Sequence, residues 1–161
     1  MAAFVNLSRV VLIGTSWTGT APGLPGTQTI SGTISSSTDI SSFVMGGEFT
    51  GNTAMVEGTT FGSGGFEVKY PGLKSGDDIT FEAVSDFAAS QLYSVIAPLF
   101  AASTLTYVDL KPVSGSRAAT NPSTVLAGYI SKHSPYGGGV GDLAKASFTL
   151  TITGKFGDLT S

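Results

Sequence analysis

Lys145–Ala146–Ser147–Phe148–Thr149–Leu150–Thr151–Ile152–Thr153–Gly154 is the stretch on which the fold class turns. Phe148, Leu150 and Ile152 alternate with Ser147, Thr149, Thr151 and Thr153. Successive side chains of an extended chain point to opposite faces, so residues 145–156 are predicted to form a strand with one buried apolar face and one hydroxyl-lined face. Asp78–Ile79–Thr80–Phe81–Glu82–Ala83 repeats the pattern, as an antiparallel sheet wet on one surface would. These two strands are expected in one sheet.

Working outward, further short runs rich in β-branched and aromatic residues lie at 9–14, 28–34, 42–49, 53–61, 65–70, 104–111 and 125–133. Gly, Pro, Ser, Asn and Asp separate them, which is the punctuation of turns. The chain is therefore predicted to be mainly β, an antiparallel β-sandwich or barrel. Residues 85–100 break the rhythm: they hold no Gly, and Leu92, Val95, Ile96 and Leu99 follow the i, i+3, i+4, i+7 spacing of an amphipathic helix whose apolar side faces the core. Ser85 or Asp86 is the expected cap of its first turn, and Pro98 the residue that ends or kinks it. Residues 15–27 and 31–42 read as long loops.

At 161 residues the chain suits one domain with a modest core. Charged residues are only 12%, about half the usual quarter, while Ser and Thr fill 41 positions, so the surface is hydroxyl-rich. A formal charge of −3 offers no basic footprint for gripping nucleic acid. The absence of cysteine excludes disulfides, thiolate nucleophiles and Cys-ligated metals. The apolar run at 10–13 is too short for a signal-peptide core, and no stretch is long and apolar enough to cross a membrane as a helix. A soluble product with no membrane partner is expected.

No residue pattern points to catalysis or to a cofactor or metal. His133 is the one histidine, without a nucleophile elbow such as G-x-S-x-G to accompany it, and reads as an exposed residue at a strand end. Asp77–Asp78 is the one adjacent carboxylate pair and reads as a solvated turn, because converging ligands are missing. Gly62–Ser63–Gly64–Gly65 and Gly137–Gly138–Gly139–Val140–Gly141 lack the Lys–Ser/Thr pair of a phosphate loop and read as hairpin turns. Trp17, the single tryptophan, is either a cap on the core or an anchor in a subunit interface.

Thr60–Phe61–Gly62 and the stretch from Tyr70–Pro71–Gly72–Leu73–Lys74–Ser75–Gly76 through Asp77–Asp78–Ile79–Thr80–Phe81–Glu82 resemble the central part of major tail tube proteins of long-tailed bacteriophages. Asn121–Pro122, Gly128–Tyr129–Ile130, Gly139–Val140–Gly141–Asp142–Leu143–Ala144 and Ser147–Phe148–Thr149–Leu150–Thr151–Ile152–Thr153–Gly154 are similar to that family's closing strands, so the resemblance spans residues 39–155. It rests on the order of elements, since no single motif is as specific as a metal-ligand signature.

The resemblance implies a virion structural protein: a β-sandwich with one flanking helix, six copies to a ring, and rings stacked into a hollow tube that conducts DNA without binding it specifically. Partners implied are further copies of the chain and the terminator, tape measure and distal tail proteins, with assembly in the host cytoplasm. The N-terminal 1–40 region and a loop at 42–66 then make ring-to-ring contacts, with Trp17, Phe43, Phe49 and Phe61 as candidate interface residues. Thr149, Thr151 and Thr153 are candidates for the polar face of the tube wall, and Leu92, Val95, Ile96 and Leu99 for the core face of the helix. Alternatives are a capsid decoration or other minor virion protein, and a small β-sandwich binding module that would need an exposed aromatic platform, suggested by Tyr129 and Tyr136. An enzyme is not expected.

Overall fold

In the computed structural model, which describes residues 10–23, 29–58, 67, 69–88, 91–139 and 142–160, the alternating segments pair into a curled antiparallel sheet with one helix against it. Among the described residues the order is β1 (Val10–Gly14), β2 (Trp17–Thr18), β3 (Thr33–Ile34), β4 (Thr38–Asp39), β5 (Val44–Gly46), β6 (Gly51–Glu57), β7 (Lys69–Gly76), β8 (Ile79–Val84), α1 (Leu92–Ala101), β9 (Thr106–Lys111), β10 (Ser123–Gly137), β11 (Lys145–Ile152) and β12 (Gly157–Leu159). The main sheet runs β4-β1-β9-β10-β11-β8-β5, and β12 joins it by pairing with the start of β10. Two ribbons, β2-β3 and β6-β7, stand outside it.

The alternation of β11 and β8 sets the inner face. Phe148 lies opposite Phe81, Leu150 opposite Ile79 and Ala146 opposite Ala83, while Thr149 pairs with Thr80 on the other side. The rings of Phe81 and Phe148 stack with centroids 4.9 Å apart, an offset geometry that adds to the gain from burial. Val11, Ile13, Ile40, Val108, Leu126 and Ile130 extend this face across the sheet. Leu92 and Ile96 of α1 are buried in the same cluster, with Val95 and Leu99 packed at its margin.

Several boundaries differ from those the sequence suggests, each for a local reason. The helix starts at Leu92 because 85–88 is taken up otherwise: Ser85 Oγ donates to the Pro135 carbonyl, and Asp86 Oδ1 accepts from Ala88 N in a turn that competes with helix. Neither therefore caps α1; Gln91 occupies the cap position without a side-chain bond. Pro98 removes the N–H that would bond the Ser94 carbonyl, yet the helix does not end there and runs three residues further to Ala101.

The long strand expected at 145–156 breaks after Ile152. Gly154 adopts a left-handed φ of 63° against the backbone of Gly23, and the chain resumes as β12 on the same side of β10. Conversely, β7 continues through Pro71 to Gly76, where 74–78 reads as a turn. A ribbon strand has one edge unpaired, so a proline there need not cost a ladder bond. His133 lies within β10, which runs on through two irregularities in register to Gly137, and is not at a strand end.

Residues 15–23 and 29–34 are not free loops. They carry the β2-β3 ribbon across the outer face of β9 and β10, where Pro22, Ile30, Ile34, Val125 and Ala127 are buried. Val125 and Ala127 thus lie under cover on the side of β10 that faces away from Leu126.

Ile96 is fully buried against the sheet, so Ile96→Ala is expected to lower unfolding free energy by about 2–5 kcal/mol with the denaturant slope unchanged. Urea titration followed by Trp17 fluorescence measures this; a loss below about 0.5 kcal/mol would mean the helix does not seal the core.

Candidate assembly surfaces

Three surface regions of this fold can engage something outside the subunit. The first is the ribbon β6-β7. Every residue of β6 and all of β7 except Gly76 are exposed. Val56 pairs with Tyr70 on one face and Met55 with Pro71 on the other, and a bulge that opposes Ala54 to Gly72 and Leu73 turns Leu73 to the Val56–Tyr70 face. Leu73 is 85% exposed. Among the described residues the ribbon is anchored at its root. There Asn52 Nδ2 donates to Asp77 Oδ1 at 2.7 Å, Asp77 N donates to the Thr50 carbonyl, and Gly51 and Gly76 admit the edge-to-face pair of Phe49 and Phe156.

The second region is the hydroxyl face of β8, β10 and β11. Thr151 Oγ1 is 2.9 Å from both Asp78 Oδ2 and Ser131 Oγ, and Thr80 and Thr149 share a hydrogen bond of 2.9 Å. Beside them an open groove of about 520 Å³ is lined by Gly46, Gly47, Glu48, Thr80 and Glu82. The three threonines expected to form one polar wall have different positions. Thr149 is buried and closed off by Thr80. Thr151 is half-buried in the network, and Thr153 lies past the end of β11 beside Gly23. Asp78, Thr80, Glu82 and Ser131 are exposed on that face, as are Tyr129 opposite Thr151 and Lys132 opposite Thr149.

The third region is an aromatic ladder that the linear sequence conceals. Tyr136 and Phe87 stack at 5.4 Å, Phe87 meets Tyr93 at 5.1 Å, and His133 lies 5.8 Å from Tyr93 and 6.0 Å from Phe100. These five rings come from the β8-α1 connection, from α1 and from β10, and four of them are exposed. His133 is half-buried among them instead of standing in solvent. The crevice at the ladder's foot, lined by Phe87, Leu92, Tyr93, His133 and Ala146, has about 10 Å³, room for one water at most. It is a surface and not a ligand pocket.

The remaining aromatic candidates are used within the chain. Trp17 packs on Tyr107 with ring centroids 5.6 Å apart and donates Nε1 to the Ser31 carbonyl, so it caps the outer layer. Phe43 and Phe49 pack at the margin of the core. Phe61, together with the 59–66 segment and its glycine cluster, lies outside the described residues. Asp77 and Asp78 are tied to Asn52 and Thr151, and among the described residues no group of three or more His, Asp or Glu side chains is placed to hold a metal. No helix among them is long and apolar enough to cross a membrane.

Arg117 locks the outer layer in place. It reaches from the β9-β10 connection to donate Nη2 to Asp109 Oδ2 at 2.8 Å and Nη1 to the Gly32 carbonyl. Gly32 holds a φ of 98° with the Thr18 carbonyl where a Cβ would lie, so only glycine presents its carbonyl there. No known protein-family model matches the sequence, and no curated protein matches it significantly.

Arg117→Ala leaves the Asp109 carboxylate buried without its cation and is expected to cost about 3–5 kcal/mol, whereas Arg117→Ala with Asp109→Leu recovers a large part of that loss. Chemical denaturation of the three variants measures both. Burial among the rings lowers the His133 pKa below its ordinary 6.5, so the unfolded chain binds this proton more tightly. Its contribution to stability is complete above pH 6.5 and falls as pH drops through the lowered value. Melting curves from pH 7.5 to 5 should show a shallower decline in His133→Phe than in the native chain; equal slopes would refute the assignment.

Proposed function

We propose that this chain is a self-assembling structural subunit, the ring-forming protein of a phage-type tail tube, located in the virion and built up in the host cytoplasm. The observation that carries the reading is the β6-β7 ribbon. An isolated two-stranded ribbon is marginal in water, and this one pairs with no further strand among the described residues and leaves Met55, Val56, Tyr70 and Leu73 exposed. Such a surface costs free energy unless a neighbour covers it. The sequence resemblance to tail tube proteins supplies the kind of assembly: six-membered rings, stacked, with contacts from this segment.

The exposed Asp78, Thr80, Glu82 and Ser131 face supports a conduit lining. Hydroxyls hold a water layer, and on this face the Asp78 and Glu82 carboxylates outnumber the Lys132 cation in a subunit of net charge −3, so DNA would slide past without capture. The terminator, tape measure and distal tail proteins are the further partners this reading requires. A chain that stays monomeric or trimeric at every concentration would instead be a decoration protein or a binding module.

Negative-stain electron microscopy and mass measurement across a concentration series test the reading: hollow tubes or six-fold rings are expected. Leu73→Asp should raise the concentration needed for assembly at least tenfold, about 1.4 kcal/mol per contact, with an unchanged melting temperature. Thr80→Lys with Ser131→Lys should leave assembly intact while impairing DNA passage, read as infectivity of reconstituted particles; normal infectivity would remove this face from the lumen.

A further inference from the structure

The geometry points to the aromatic ladder Tyr136–Phe87–Tyr93–His133–Phe100 as the receiving surface for the β6-β7 ribbon of a second copy, docked head to tail. The inference rests on the assembly reading above and names the partner surface that reading leaves open.

Placement along β8 carries the argument. The ribbon joins β8 at its first residue, Ile79, through Asp77 and Asp78, while Phe87 of the ladder lies three residues beyond its last, Val84. Strand β11 runs antiparallel to β8 and repeats the separation. Its Ile152 end lies by the ribbon root at Gly76, and its Ala146 end lines the foot of the ladder. Six strand residues separate the two surfaces by about 20 Å. The ribbon projects from the end opposite the ladder, so it meets a ladder only on another subunit. A surface at one end and its acceptor at the other make a heterologous contact, which repeats into a stack or closes into a ring.

The chemistry of the two surfaces also matches. One ribbon face offers Val56, Tyr70 and Leu73, and aliphatic and aromatic side chains pack well on aromatic rings. The ladder is held by its own ring contacts, so little conformational freedom is lost when it is covered. Its crevice is too small for a ligand, so an extended ribbon laid across the rings is the shape that fits.

The test uses the full chain, which contains no cysteine. Tyr136→Ser, at a side chain 75% exposed, and Phe87→Ser should each raise the concentration at which tubes form at least tenfold, with the melting temperature unchanged. In assembled mixtures of Leu73→Cys and Tyr136→Cys chains, mild oxidation should give a disulfide joining the two different variants. Either variant alone should give little cross-linked product. If both ladder variants form tubes at the native concentration while Leu73→Asp does not, the ladder is not the acceptor and the assembly reading stands. Absence of the mixed disulfide from assembled tubes also overturns the proposed contact. If the native chain never assembles, the assembly reading fails, and this proposal fails with it.

Discussion

The cross-strand pairing of Phe148 with Phe81 is the contact on which the rest of this molecule depends. It lies on the inner face of β11 and β8, and the register it marks places Leu150 on Ile79 and Ala146 on Ala83. Side chains alternate with period two, so a slip of one residue would turn Thr149 and Thr80 inward and both phenylalanines outward. Each mis-paired hydroxyl in the core would lack a partner, at a cost of a few kcal/mol each. The register is therefore strongly specified, and α1 finds its place because Leu92 and Ile96 have only this apolar face to cover.

The outer face is divided into a covered half and an open half. Over β9 and β10 it is closed by the β2-β3 ribbon, held by Trp17 on Tyr107 and by the Arg117–Asp109 ion pair beneath Gly32. An ion pair removed from water returns little net stability, but one that fails to form is strongly unfavourable, so it selects a single seating of the layer. Over β8 and β11 the same face stays open and polar, with hydroxyls that satisfy one another. One half of this face is thus closed by the chain itself, and the other half is open to water.

The two ends of β8 carry apolar surfaces that the described residues leave exposed. The ribbon at one end and the aromatic ladder at the other are both apolar and both uncovered, in a chain where only 12% of residues are charged. A protein of this size conserves solubility by hiding such patches, unless assembly hides them instead. Their opposite placement favours repetition over closure of a symmetric pair.

The main strands and the helix were legible in the sequence because their signals are local. The alternation at Phe148–Leu150–Ile152 and the spacing of Leu92, Val95, Ile96 and Leu99 depend only on the period of each element. The places where the reading differed were decided by partners distant in the chain. Ser85 leaves the helix because Pro135 accepts its hydroxyl, β11 stops where Gly154 meets Gly23, and Thr149 is sealed by Thr80. The ladder was illegible for the same reason: Phe87, Tyr93 and Tyr136 are unremarkable one by one and become a surface only when β10 and α1 bring them within 6 Å of their neighbours. Period and composition determined which elements form and which side of each is apolar. Long-range pairing alone decided which surfaces remain uncovered, because exposure is a property of what packs against a residue and not of the residue itself.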